Sequence, residues 1–157
     1  MLFQITFAIV VLAIIGVLVL VGFRIAASSR EKTLRRAREV FFLRREWLEA
    51  EFVKLAGLRG LPRGLAWANC DFDDDVQFAK ERASGQLRAL VAVTIRFEAI
   101  EGGGMEDVEA VGNLRAATAT FVYDEKKKKW TTDGRALFNL NPLEAIHHYR
   151  HELETAD

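Results

Sequence analysis

Residues 2–23, LFQITFAIVVLAIIGVLVLVGF, carry no charged side chain, and only Gln4 and Thr6 interrupt the apolar run. No other feature limits the chain so strongly. As a helix rising about 1.5 Å per residue, the run reaches roughly 33 Å, enough to cross a hydrocarbon core of about 30 Å. Gly16 and Gly22 fit this reading, since glycine is common in membrane helices. A cleaved leader would show a basic n-region, a shorter apolar core and small residues at the cut. Here no Lys or Arg precedes the run, and the small-residue stretch IAASS at 25–29 follows Arg24. The sequence therefore predicts an uncleaved transmembrane anchor over residues 1–23, a juxtamembrane linker at 24–29 and one folded domain at 30–157.

The flanks orient the anchor. No charged side chain precedes it, whereas Arg24, Arg30, Lys32, Arg35, Arg36 and Arg38 follow it, against Glu31 and Glu39. Positive flanks stay cytoplasmic, so the expectation is an N-terminus outside and the domain in the cytoplasm. Cys70 is the only cysteine, which rules out an intrachain disulfide and agrees with a reducing compartment. The formal net charge is zero, so the basic stretch 24–45 is offset by a net acidic remainder. Beside a membrane helix, such a collar attracts anionic lipid headgroups at about 1 kcal/mol per residue close to the surface. Lipid-headgroup contact is thus expected at Arg24, Arg30, Lys32, Arg35, Arg36 and Arg38. Nucleic acid is not expected, because no basic stripe extends the patch over the rest of the domain.

Beyond the collar the apolar period is helical. Leu34, Ala37, Phe41, Leu48, Phe52 and Leu55 share one face of a long helix over 30–57, widened by Val40 and Trp47. Arg44 and Glu51 interrupt the stripe as a candidate pair. Phe42 and Val53 fall on the opposite side, as scattered exposed apolars or as a surface for a partner chain. Gly57 reads as the helix stop, followed by a loop, GLRGLPRGL.

The period then changes to two. LAWANCDF and VQFAKER read as strands, ASGQ (83–86) as a turn and LRALVAVTIRFEAI as a long strand. Its Leu87, Ala89, Val91, Val93, Ile95 and Phe97 face a core, and Arg88, Thr94, Arg96 and Glu98 face away. EGGGMED is a connection, EAVGNLRAATATFVY a fourth strand, DEKKKK a turn and WTTDGRALFNL a fifth. Asn141, Pro142 and Glu144 have the spacing of a capping box and predict a C-terminal helix. The expected fold is α+β: a transmembrane helix, a long helix packed on an antiparallel meander sheet of about five strands, and a C-terminal helix. That order resembles a cystatin/NTF2-like roll in architecture only, and fold alone does not give function.

The run CDFDDDVQF places Asp71, Asp73 and Asp75 two apart, as a calcium loop begins. An EF-hand loop then needs glycine at position six and glutamate at position twelve; Val76 and Arg82 stand there. The run therefore reads as a turn between two strands, with weak cation binding at Asp73–Asp75 as the lesser alternative. All three histidines lie in EAIHHYRHELE, and His147 and His151 have the i,i+4 spacing that holds zinc on a helix. HHxxH lacks the metalloprotease glutamate, and on a helical wheel the histidines oppose Ile146, Tyr149 and Leu153. A solvated face is the favoured reading and no metal is expected, with a structural or adventitious metal at His147 and His151 as the lesser alternative. Ser28, Ser29 and Ser84 occupy no nucleophile elbow, Cys70 reads as a structural thiol, and the glycines at 102–104 lack the P-loop pattern. Lys126–Lys129 form a solvated hairpin tip, with an acidic lipid or partner as the alternative. Trp47, Trp67 and Trp130 suit a core or a pocket wall.

No catalytic constellation, metal site or cofactor is therefore expected. The leading functional expectation is a non-enzymatic binding or assembly module on a single-pass membrane protein. Its partners would be the lipid bilayer, other membrane or cytosolic proteins, or a second copy of the chain. The alternative is a ligand-binding or enzymatic roll, with a pocket between sheet and long helix.

Overall fold

The fold was examined in a computed structural model that describes residues 2–58 and 64–156, and only the backbone of 2–13 and 26. The chain forms two compact units, residues 1–39 and 40–157. Helix α1 runs Leu2–Leu43, so the stretch expected as a linker at 24–29 is helical. Among the described residues, no helix is long and apolar enough to cross a membrane. Residues 1–13 of the expected anchor lie outside the residues whose side chains are described. From Ile14 to Ile25 the described side chains are exposed around the whole helix.

The expected long helix is broken. At Arg44 the chain makes a single turn, and α2 follows over Arg45–Leu58. Leu48 N–H still donates to Arg44 O at 3.0 Å, so the two helices share a hydrogen-bonded junction. Gly57 lies one residue from the helix end, and the loop expected beyond it falls on 59–63, outside the described residues. The anticipated Arg44–Glu51 pair does not form among the described residues. Arg45 Nε instead meets Glu49 Oε1 at 2.6 Å, one helical turn on.

The sheet has six strands: β1 Leu65–Glu81, β2 Leu87–Ala99, β3 Arg115–Asp124, β4 Lys129–Thr131, β5 Ala136–Phe138 and β6 Leu153–Thr155. Their order is β4-β3-β2-β1-β6, with β5 also paired to β3. Every pairing is antiparallel. The fold is therefore α+β, an antiparallel sheet with a helix on it, as the change of period predicts. The strand boundaries differ from the expected ones in four places, each with a physical reason.

First, the acidic run makes no turn. β1 is one strand of 17 residues, and both its halves pair with the same long β2. The Asp preference for turns is absorbed as a bulge: three residues, Asp73–Asp75, stand opposite the single Ala92. An earlier one-residue bulge, between Trp67 and Asn69, shifts the inward side chains from odd to even positions. Leu65 and Trp67 thus share a face with Cys70, Phe72, Val76 and Phe78. Second, residues Glu109–Gly112 form a 3-10 turn rather than the start of the fourth strand. Third, the expected fifth strand splits into β4 and β5, which lie in sequence along the same edge of β3. Fourth, the C-terminal helix α3 spans only Pro142–His148, and the chain turns back to add β6 to the free edge of β1.

The start of α3 is as predicted. Asn141 Oδ1 accepts from Glu144 N–H at 2.8 Å, and Glu144 Oε2 accepts from Asn141 N–H at 3.0 Å. Its early end reflects competition with the sheet edge. Burial of Leu153 against Ala79, Leu90, Ala145 and Ile146 offsets the helical turns forgone. Arg82 fixes the return, its N–H donating to Glu152 O at 2.7 Å and its Nη1 to Glu154 Oε2 at 2.8 Å.

The main core lies between α2 and the face bearing Ala89, Val91, Val93, Ile95 and Phe97, the face expected to be buried. Phe41 and Phe52 are fully buried there. The Phe41 ring lies 5.1 Å from Trp130 and 5.5 Å from Phe121, while Phe52 lies 5.8 Å from Phe72. Such edge-on pairs contribute about 0.5–1.5 kcal/mol each beyond area burial. The opposite face is covered in part by α3.

Candidate functional site

Two close backbone approaches leave a space at one end of this core. Gly64 and Gly103 meet where β1 begins: a Cβ at Gly103 would lie 2.6 Å from Gly64 Cα. Ile100 N–H donates to Gly64 O at 2.8 Å. This contact seats the segment after β2 so that Met105 and Val108 reach over the end of the sheet. Gly134, between β4 and β5, adopts φ +72° against the last turn of α2. A Cβ there would come within 2.5 Å of Ala56 N.

Between these contacts lies a cavity of about 620 Å³, within the roughly 300–1,000 Å³ range of small-ligand sites. Its floor is a cross-strand aromatic row. The rings of Trp67 and Phe97 are 5.5 Å apart, and those of Phe97 and Phe138 are 6.4 Å apart. Ala56, Leu65, Val108 and Val111 complete an apolar lining, and Arg115, Arg135 and Asn139 supply the polar groups. Arg115 faces Ile95 across the ladder, so both occupy the core face of the sheet. Among the described residues, the lining contains no carboxylate, histidine, cysteine or hydroxyl side chain.

The residues singled out in the sequence lie elsewhere. Asp73 and Asp75 sit on the bulge and Asp71 pairs with Thr94 just before it, each with a local partner. Asn69 Nδ2 donates to Asp71 Oδ2 at 3.0 Å, Asp75 N–H to Asp73 Oδ1 at 3.3 Å, and Gln77 Nε2 to Asp75 Oδ2 at 3.0 Å. Arg45 spans the bulge from α2, donating to Asp74 O at 2.8 Å and also to Asp73 O. It satisfies carbonyls that the bulge has released from the ladder. His147 lies in the last turn of α3, but His151 lies beyond the helix in the following turn, so the helical spacing expected for a metal pair is not realised. Among the described residues, no group of three His, Cys, Asp or Glu side chains could hold a metal ion.

Cys70 is half-buried on the core face, and burial followed by the Asp71 charge pushes its thiol up to about 11. Such a thiol is protonated and a poor nucleophile near neutral pH. Of the glycines at 102–104, Gly103 makes the close approach to Gly64. Lys126–Lys129 turn the β3–β4 hairpin, where Asp124 Oδ1 accepts from Lys126 and Lys127 N–H at 3.0 Å each. Lys129 Nζ lies 5.3 Å from the ring centre of Trp47.

The three tryptophans divide: Trp130 is core, Trp67 is cavity wall, and Trp47 is exposed. Sequence reading missed Arg115 and Arg135, because both stood inside strands expected to be continuous. The breaks at 109–112 and 132–135, marked by Gly112 and Gly134, were the available signal. The collar residues Arg24, Arg30, Lys32, Arg35 and Arg36 are exposed on α1, and Arg38 is partly so. No protein-family model, curated protein or solved structure matches this chain.

Proposed function

We propose that the protein is a single-pass membrane protein whose α+β domain is a non-enzymatic binding module, with the Trp67–Phe97–Phe138 cavity as its ligand site. The observation that carries this reading is the cavity itself: a largely apolar space of ligand size, held open by backbone contacts at Gly64–Gly103 and Gly134. A roll whose open end was filled by side chains would not support it. The lining offers arginine and amide groups but neither nucleophile nor general base, which favours binding over catalysis. The membrane assignment rests on the uncharged run and on apolar side chains exposed all round α1 from Ile14 to Ile25. The cytoplasmic placement of the domain, and headgroup contact by Arg24, Arg30, Lys32, Arg35, Arg36 and Arg38, rest on the basic collar.

The test uses the full chain in lipid nanodiscs and a terminally brominated long-chain alcohol as probe. All three tryptophans lie beyond residue 40, so quenching reports on the domain and not on the anchor. Saturable quenching of Trp67, abolished by filling the cavity with Ala136→Phe, is the expected result. Linear quenching that is identical in the variant refutes the site. A second reading, assembly with another copy of the chain, is favoured by the exposed Phe42, Leu43 and Trp47 at the α1–α2 junction. Crosslinking that disappears in Leu43→Glu would establish it, and a monomer in both would remove it.

A further inference from the structure

The charged side chains described in the cavity lining are of one sign. We infer that the ligand is a single-chain amphiphile with an anionic head, its chain along the Trp67–Phe97–Phe138 row and its head held by Arg115 and Arg135. This inference rests on the cavity being the binding site.

Three observations carry it. The first is the pairing of arginines within the domain. Arg45, Arg82 and Arg88 are each matched by a carboxylate, from Glu49, Glu154 and Glu81 at 2.6, 2.8 and 3.0 Å. Among the described residues of the domain, Arg44, Arg96, Arg115, Arg135 and Arg150 are in no ion pair, and of these Arg115 and Arg135 line the cavity.

The second is that nearby acids are engaged elsewhere. Glu106, beside the lining residue Met105, folds back to accept from the N–H of Gly102. Asp133 Oδ1 accepts from the backbone N–H of Arg135 at 3.1 Å. Among the described residues, no carboxylate that could balance the two guanidinium groups lines the cavity. A guanidinium is suited to bidentate contact with a carboxylate or phosphate oxygen pair.

The third is the shape of the apolar part. Three rings in succession, from β1, β2 and β5, offer an extended apolar wall, which suits a flexible alkyl chain. Arg115 and Arg135 are also fixed at their backbones. Arg115 is paired to Ile95 in the ladder, and Arg135 O accepts from Thr120 Oγ1 at 3.2 Å. Their heads can therefore be placed with little ordering of the main chain.

The experiment compares a terminally brominated long-chain carboxylate with the alcohol of equal length, both at neutral pH. The full chain is held in nanodiscs of zwitterionic lipid, and Trp67 quenching is referred to the free aqueous probe concentration after partition into empty nanodiscs is subtracted. The carboxylate is expected to bind at least about tenfold more tightly than the alcohol. Each added methylene should tighten both by about fourfold until the chain outgrows the cavity.

Arg115→Gln and Arg135→Gln should each reduce the preference for the carboxylate, and the double variant should abolish it, with alcohol binding unchanged as the check on folding. Equal affinity of the two probes in the wild type overturns the anionic head while leaving the cavity in place. Loss of both probes together in the arginine variants overturns it too, since those side chains would then act on the fold alone. No saturable quenching by either probe overturns the site itself.

Discussion

Gly134 is where the path of the chain and the placement of α2 meet, and its replacement by alanine separates two costs that usually act together. Its φ of +72° is in the left-handed region, where an L side chain costs roughly 1–2 kcal/mol. A Cβ there would also lie 2.5 Å from Ala56 N and 2.7 Å from Leu55 C. Those are backbone atoms of α2, which cannot swing aside as a side chain can. Overpacking of this kind costs about 1–3 kcal/mol, so Gly134→Ala should destabilise the domain by about 2–5 kcal/mol. Gly85 provides the control, since it has the same φ of +72° and nothing within 4 Å of a built Cβ. Gly85→Ala should cost only the backbone part, about 1–2 kcal/mol. Urea unfolding of the full chain in mild detergent, followed by tryptophan emission, measures both. With a denaturant slope of about 2 kcal/mol per molar, Gly134→Ala should lower the midpoint by roughly 1 M more than Gly85→Ala does. Equal midpoints in the two variants would refute the claim that α2 is seated on Gly134.

Asn141→Ala removes the capping bond to Glu144 N–H and should destabilise the domain by about 0.5–2 kcal/mol, most visibly as faster amide exchange over 142–148; unchanged exchange there would contradict it. Cys70, with its thiol pushed up to about 11, should be alkylated by iodoacetamide at pH 8 more than about a hundredfold more slowly than a model peptide thiol. Its rate should also climb steadily towards pH 11, and a plateau near pH 9 would contradict the burial argument. The N–H groups of Lys127 and Lys126 hold the Asp124 carboxyl below the usual carboxylate range. It therefore favours the β3–β4 turn above the unfolded-state value of about 4, and that contribution is lost as pH falls through the lower folded-state value. Protection of the Lys126 and Lys127 amides should fall in that acid window in the wild type and show no such step in Asp124→Asn.

The parts of the fold legible in the sequence are those in which local pattern and tertiary demand agree. The alternation from Leu87 to Phe97 is one, and the Asn141–Pro142–Glu144 cap is another, since the bonds that close it lie within four residues. Legibility fails where a distant partner decides. Asp73–Asp75 resemble a turn in any local window, yet they remain in a strand because β2 is long enough to pair with both halves of β1. His151 fits a helix until the free edge of β1 draws Leu153 into β6. The aromatic floor of the cavity was half visible, with Phe97 and Trp67 already assigned to buried or wall positions. Phe138 and the arginines were hidden, because their juxtaposition depends on where β3 starts and where β4 gives way to β5.

The continuity of α1 through residues 24–29 makes the basic collar a graded series rather than a patch. Along an unbroken helix Arg30 stands about 9 Å beyond Arg24 and Arg38 about 21 Å beyond it. Surface potential decays over roughly 10 Å at 0.1 M salt. With α1 upright, Arg24 and Arg30 sample most of the field, while Arg35, Arg36 and Arg38 sample little of it. With α1 reclined along the headgroups, all six share it. On the proposed membrane reading, salt-dependent binding to anionic vesicles therefore reads out helix inclination. Equal losses from Arg24→Gln and Arg36→Gln would signify a reclining helix, and a loss confined to Arg24→Gln an upright one.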